Sequence, residues 1–271
     1  MADKPFGVMT RFKSHAGAFP VVFFETKGIA GAFIDPPAGT VPAISAFADE
    51  KVARSHPDWM QVGPGGERAE RGGRYFDWSS LCPTRPEVFD LALSWAERAR
   101  APGGLRLDDA HYARQGYCQC PVCLGAAGRA GVSLPALHRM RMTEFVRQTR
   151  SRTEGPLYYT VHPDPYPGHL EGEYGVDVDV LQGLVDVFVV PIYDMAYATT
   201  YWVEVIASGF RDRLTKPFFV ELYGLGVAEK ALTHAAEVAL HYADGLVVAY
   251  DPDTERLRRI GEAVRTGTGQ P

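Results

Sequence analysis

Five short apolar runs along the chain each stop at a polar or acidic residue. Residues 104–107 run into Asp108 and Asp109, residues 157–161 into His162, and residues 187–193 into Asp194. Residues 218–220 run into Glu221, and residues 245–250 into Asp251. Strands that are apolar on both faces belong to parallel sheets covered by helices. Upstream, residues 6–11, residues 30–34 ending at Asp35, and residues 41–47 leading to Asp49 and Glu50 read as three further strands, eight in all. Residues 14–28 are expected to hold the first helix. Pro20 and the β-branched, aromatic run Val21-Val22-Phe23-Phe24 also fit a strand there.

The later helices follow from a 3.6-residue period. Thr84-Arg85-Pro86-Glu87 fits a capping box, and Val88, Leu91, Ala92, Trp95 and Ala99 follow it at helical spacing. Ser133 is expected to cap a helix carrying Leu137, Met140, Phe145 and Gln148. Val227, Ala231, Ala235, Val238 and Tyr242 mark another, and Thr254 caps a last one with Leu257, Ile260 and Val264. Residues 266–271 read as a frayed tail.

Strand and helix alternating in this way imply a parallel sheet. The 271 residues are close to the roughly 250 typical of one (β/α)8 barrel. The expected architecture is therefore α/β: a (β/α)8 TIM barrel, one domain over residues 1–271. It has a long loop after the third strand and a cysteine-rich loop after the fourth. An open dinucleotide-binding sheet is disfavoured, since no Gly-rich turn follows the first strand. The long loop, residues 56–82, contains Trp59, Tyr75, Phe76 and Trp78, which points to a folded lid.

Composition narrows the function classes. The net charge of −5 disfavours nucleic acid and anionic membranes as partners. No apolar run is long enough to span a bilayer, and the first residues lack a signal-peptide core, so a cytoplasmic location is expected. In that compartment the four cysteines are expected reduced or metal-bound. Cys118, Cys120 and Cys123, with Cys82 from the long loop, could close a tetrahedral structural zinc site. No cofactor is expected to be needed for catalysis, and the sequence carries no indication of oligomeric state.

In a (β/α)8 barrel, chemistry sits where the strands end. Asp108, Asp194 and Glu221 are the candidate catalytic carboxyls. Glycoside cleavage needs two such groups, one to protonate the leaving oxygen and one to attack or to activate water. Asp108 is expected as nucleophile or general base and Glu221 as proton donor, with Asp194 able to replace either. Successive strand residues point to opposite sides, so Asp109 is expected in the shell behind Asp108. Trp59, Tyr112, Tyr193 and Tyr223 could stack on sugar rings, and His56 and His162 could bond their hydroxyls.

The middle of the chain also resembles a known family. His56-Pro57-Asp58-Trp59, Leu81-Cys82-Pro83, Gly104-Leu105-Arg106-Leu107-Asp108-Asp109 and Tyr117-Cys118-Gln119-Cys120-Pro121-Val122-Cys123 occur in that order. Over residues 41–125 this is similar to the glycoside-hydrolase-like TIM-barrel family. The resemblance implies the barrel fold and an active-site acid at Asp108. The expected function is hydrolysis of an oligosaccharide or glycoconjugate. Two alternatives stand beside it: a barrel that binds carbohydrate without cutting it, and a metal-dependent lyase, aldolase or isomerase using Asp108, His162 and Glu221.

Overall fold

The computed structural model describes residues 4–74 and 76–266. The elements run β1 (Phe6–Thr10), β2 (Val21–Lys27), β3 (Val41–Ser45), α1 (Glu50–Ser55), α2 (Pro86–Arg98) and β4 (Leu105–Asp108). They continue through α3 (Pro121–Ala130), α4 (Leu134–Arg150), β5 (Leu157–Thr160), α5 (His169–Glu173), α6 (Val178–Leu181) and β6 (Val187–Pro191). α7 (Tyr201–Arg213), β7 (Phe218–Tyr223), α8 (Glu229–Leu240), β8 (Gly245–Ala249) and α9 (Thr254–Thr266) complete the chain. The eight strands close into one parallel barrel in sequence order, β8 pairing with β1. This is the (β/α)8 fold.

The second strand is not the expected one. Val21–Lys27 forms β2, because its β-branched and aromatic residues suit a pleated surface. Residues 30–34 instead double back, making one antiparallel bridge from Phe33 to Lys27. No helix therefore occupies residues 14–28; a single 3-10 turn at Lys13–His15 links β1 to β2. The expected capping box is also absent. Thr84 gives its hydroxyl to a 2.6 Å contact with the Tyr112 hydroxyl, and α2 starts at Pro86 with Arg85 as N-cap. Ser133 caps α4 through the Ala136 amide. At α9 the cap lies one residue earlier than expected, the Asp253 carboxylate accepting from the Arg256 amide at 3.0 Å. The tail lies outside the described residues beyond Thr266, which is itself helical.

Inside the barrel, Met9, Phe23, Ala43, Tyr158, Val189, Phe219 and Val247 form the inner core. The outer core joins strands to helices, with Val88, Phe89, Ala92, Leu93 and Ala96 of α2 and Leu257, Ile260 and Val264 of α9 buried on one face of each. Each such Val, Leu, Ile or Phe contributes about 1.5–3 kcal/mol by leaving water. No described helix is long and apolar enough to cross a membrane.

The period of two decides what the strands deliver to the barrel mouth. In β4, Arg106 and Asp108 share the inward face; in β7, Phe219 and Glu221 do. The long loop is pinned by buried polar contacts. Asp49 caps α1 through the Val52 amide at 2.7 Å, and Glu50 accepts from the Ser79 amide at 2.8 Å. Main-chain pairing of Leu81 with Phe47 and of Cys82 with Trp59 closes the loop onto the barrel.

Candidate active site

A cavity of about 280 Å³ opens at the C-terminal end of the strands. Asp108, Asp109 and Glu221 line it, with Glu25 and Lys27 from β2, Arg11, Arg106, Trp78, Thr160, His162, Tyr193 and Tyr250. A larger cavity, about 380 Å³, lies at the opposite end of the barrel between Phe6, Phe19 and α9. Among the described residues that line it, Glu262 is the one carboxylate. Convergent ionisable groups favour the smaller one as the chemical site.

Arg106 organises the centre. Its side chain is 2% exposed. Nε donates to Asp108 Oδ1 at 2.8 Å and faces Thr160 Oγ1 at 3.1 Å. The two terminal nitrogens hold both oxygens of Glu221, Nη2 to Oε1 at 3.1 Å and Nη1 to Oε2. The Tyr193 hydroxyl donates to the same Glu221 Oε1 at 2.5 Å. One buried guanidinium thus bridges two carboxyls from β4 and β7, while its face lies 4.9 Å from the Phe23 ring. A buried charge is tolerated only with such pairing.

Asp108 is less enclosed, its side chain 19% exposed. Oδ1 accepts from Arg106 and from the Thr160 hydroxyl, whereas Oδ2 accepts no hydrogen bond from a described residue. Burial pushes its carboxyl up to about 6, against the pull of Arg106, and the nearby Glu221 charge adds to the rise. Glu221 is 1% exposed and spends three acceptor positions on Arg106 and Tyr193.

Asp109 faces the same cavity. Its backbone is left-handed, φ 49°, which breaks the alternation that would have turned it outward. Ser45 donates to its Oδ2 at 2.5 Å, and Oδ1 has no described partner. Left-handed non-glycine residues store strain of order 1–3 kcal/mol and cluster at functional sites.

Lys27 sits behind this group, 1% exposed. Its ammonium donates to the Ser45 and Ala48 carbonyls at 2.6 and 2.8 Å, pairs with Asp49 at 3.2 Å, and lies 3.9 Å from the Trp95 ring. Burial lowers its pKa to about 8 even so. On the far wall Glu25 is held by Arg11 at 2.9 Å, and its carboxylate rests where a side chain on Gly28 would collide, 2.4 Å from that position.

Other expected site residues lie elsewhere. Asp194 is exposed on the loop past β6, where it accepts from the Ala196 and Tyr197 amides at 2.8 and 3.0 Å, outside the cavity. Tyr112 is fully buried, stacked on His138 at 3.9 Å. His56 stacks on Trp59 at 4.0 Å on the lid surface, and neither lines the cavity. Tyr223 packs 5.5 Å from the Tyr193 ring, one layer behind the wall. Asp108, Asp109, Glu221, His162 and Tyr193 do meet in one space. Arg106, Glu25, Lys27, Trp78 and Tyr250 were missed by sequence reasoning. A cation inside the apolar run Leu105-Arg106-Leu107 was the available signal, since it demands buried acids at the same depth.

Cys82, Cys118, Cys120 and Cys123 are all buried, their sulfurs within 4.8 Å of one another. Cys82 Sγ lies 3.7 Å from Cys120 Sγ and 3.5 Å from Cys123 Sγ. Zinc–sulfur bonds of about 2.3 Å in a tetrahedron place sulfurs about 3.8 Å apart. The four residues can hold a metal ion. Cys120 is the N-cap of α3 and Cys123 lies in its first turn, so one helix end presents both.

No protein-family model matches the chain, and no curated protein matches it in sequence. Solved structures do. The α-L-fucosidase isoenzyme 2 from Paenibacillus thiaminolyticus aligns over 98% of this chain and 49% of its own, with 14% identity and a TM-score of 0.71. A GH20 exo-β-N-acetylglucosaminidase from Vibrio harveyi, in complex with N-acetylglucosamine, covers 97% of this chain and 54% of its own, at 11% identity and TM-score 0.55. A β-N-acetylhexosaminidase covers 96% and 71%, at 10% identity and TM-score 0.55. The chain spans about half the length of the first two. Its structural neighbours are thus TIM-barrel glycoside hydrolases, and at these identities what the chain shares with them is the barrel fold.

Proposed function

We infer that the protein is a glycoside hydrolase acting on a neutral oligosaccharide or glycoconjugate. The observation that carries this is the pair of unpartnered carboxyl oxygens, Asp108 Oδ2 and Asp109 Oδ1, on one open cavity. Arg106 and Thr160 fix Asp108 through its other oxygen, leaving Oδ2 to attack the anomeric carbon or to activate water. Glu221 was expected as the proton donor. Its hydrogen bonds to Arg106 and Tyr193 suit it better to holding the guanidinium, and we assign proton donation to Asp109. The cavity acids Glu25, Asp108, Asp109 and Glu221 outnumber Arg11, Arg106 and Lys27, and Lys27 is already paired with Asp49. An anionic sugar would be repelled.

A screen of neutral glycosides tests the activity. Asp109→Asn is expected to lose turnover of a disaccharide yet keep that of the matching glycosyl fluoride, whose leaving group needs no proton. Glu221→Gln keeping the fluoride and losing the disaccharide would return the donor role to Glu221. The pH profile follows from Asp108. The reacting form is ionised, and its carboxyl titrates at about 6. On the glycosyl fluoride, which needs no proton donor, kcat/KM is therefore expected to rise up to about tenfold per pH unit below about 6 and to level above it. A profile flat from pH 4.5 to 7 contradicts the assignment.

A metal-dependent lyase or isomerase is less well supported. Asp108 and Glu221 both spend oxygens on Arg106, whose positive charge opposes a cation between them. The cysteine group is the place for a metal, and we assign it a structural zinc. Four buried thiolates repel one another unless a dication neutralises them. The ion would tie Cys82, the end of the lid loop, to the segment after β4. Protein isolated without chelator is expected to carry about one zinc per chain, and Cys120→Ser to lower Tm by roughly 10 °C or more. Metal-free protein of unchanged Tm would contradict this.

A further inference from the structure

We propose that Lys27 is a positioning residue for the proton transfer, holding the turn after β3 so that Asp109 keeps one oxygen free to give its proton. This rests on the glycosidase reading and on Asp109 as its proton donor. Lys27 ends β2, lines the cavity and is 1% exposed. An ammonium has three donors. Here they meet three acceptors, the Ser45 and Ala48 carbonyls at 2.6 and 2.8 Å and Asp49 Oδ2 at 3.2 Å. No donor is left over for a substrate, so Lys27 acts through what it holds.

The turn it holds grips both Asp108 and Asp109. The Ala46 amide donates to the Asp108 carbonyl at 2.8 Å, and the Phe47 amide to the Asp109 carbonyl at 3.2 Å. The Ser45 hydroxyl donates to Asp109 Oδ2 at 2.5 Å. Lys27 bonds the two ends of this turn, Ser45 and Ala48. The left-handed backbone of Asp109 needs such support, since a strained residue persists only where its surroundings over-determine it.

The Ser45 hydroxyl has one proton and two acceptors in reach, Asp109 Oδ2 and the Ala48 carbonyl at 3.1 Å. By donating to that carbonyl, Lys27 leaves the Ser45 proton to Asp109 Oδ2. With Oδ2 accepting, the transferable proton of the carboxyl sits on Oδ1, which has no described partner. That O–H bond breaks as the glycosidic oxygen takes the proton and leaves as an alcohol, and the carboxylate that remains keeps its bond from Ser45. Without Lys27 the Ser45 hydroxyl turns to Ala48, and Asp109 loses the contact that orients it.

Lys27→Met alone would strand the buried Asp49 charge, so the test uses full-length Lys27→Met/Asp49→Asn, in which asparagine can still cap α1. Turnover is measured on a disaccharide and on the matching glycosyl fluoride. Proton transfer contributes about 10²–10⁴ in rate, so the variant is expected to lose about thirtyfold or more in kcat on the disaccharide and to stay within about threefold on the fluoride. Ser45→Ala leaves the buried charges paired and tests the same route whether or not the double variant folds. It is expected to show the same split. Combined, the two sets of changes should cost little more than either alone, because they act through one contact. An equal loss on both substrates would mean that Lys27 only holds the fold. That result, an unimpaired disaccharide rate in either variant, or additive losses overturns the positioning role, and wild-type turnover leaves the glycosidase reading standing. Wild-type protein that turns over neither substrate overturns both.

Discussion

Asp108→Asn is expected to lower kcat on an accepted glycoside by a factor of about a thousand or more without loss of fold. Removal of a nucleophile or base that acts in the transition state costs about 10²–10⁴ through proton transfer alone, and more when a covalent step is lost. The substitution keeps the shape of the side chain and one oxygen for Arg106 and Thr160. Its effect on stability has the opposite sign to its effect on rate. Burial holds the carboxyl at about 6, above the value near 3.9 of an unfolded chain. As pH rises from about 4 to about 6 the unfolded chain releases this proton first, so ionising Asp108 costs the folded state up to about 3 kcal/mol at neutral pH. Asparagine does not titrate. At pH 7 the variant should melt no lower than the wild type, and at pH 4 the two should converge. Turnover within tenfold of wild type would remove Asp108 from the chemistry; a clearly lower Tm at pH 7 would mean that its pairing with Arg106 outweighs its desolvation.

Much of the fold was legible because parallel strands leave a simple trace, an apolar run with a stop. The runs ending near Asp108, His162 and Glu221 are β4, β5 and β7, and alternation alone places Asp108 and Glu221 inward. The cysteine spacing was equally readable, since Cys120 and Cys123 three residues apart share a helix face. Three features were not. Val21–Lys27 lies after Pro20 in a stretch that fits helix and strand alike, so the sequence does not single out β2 and does not place Glu25 and Lys27 at the cavity. Asp109 turns inward through a left-handed backbone that no glycine announces. Asp194 lies three residues past the end of β6, because Pro191 withholds the ladder donor that would extend the strand. Tyr112 shows a different failure: an aromatic after a strand end can face the mouth or the core, and here Thr84 and His138 complete a buried site for its phenol.

Arg106→Met is expected to destabilise the protein by about 3–5 kcal/mol, because it leaves Glu221 buried with its charge uncompensated. At roughly 2–4 °C per kcal/mol for a chain of this size, Tm should fall by roughly 10 °C. The exposed pair Arg258–Glu255 is the control: Arg258→Met should change stability by less than about 1 kcal/mol. The distinction between a buried charge frame and ordinary packing comes from the double variant Arg106→Met/Glu221→Leu. Removing both charges removes the unpaired one, so most of the lost stability should return, whereas lost packing would not be restored by a second truncation. Activity should not return with it. Without the guanidinium, Asp108 loses the cation that most opposes its burial, and its carboxyl is expected to move up. The rising limb of the pH profile then shifts to higher pH in Arg106→Met, measurable on a glycosyl fluoride. A variant of unchanged Tm and unshifted limb would show that Arg106 neither holds Glu221 nor tunes Asp108. The same cation that makes a buried carboxyl affordable at the barrel centre would, on this account, set the pH at which its neighbour begins to react.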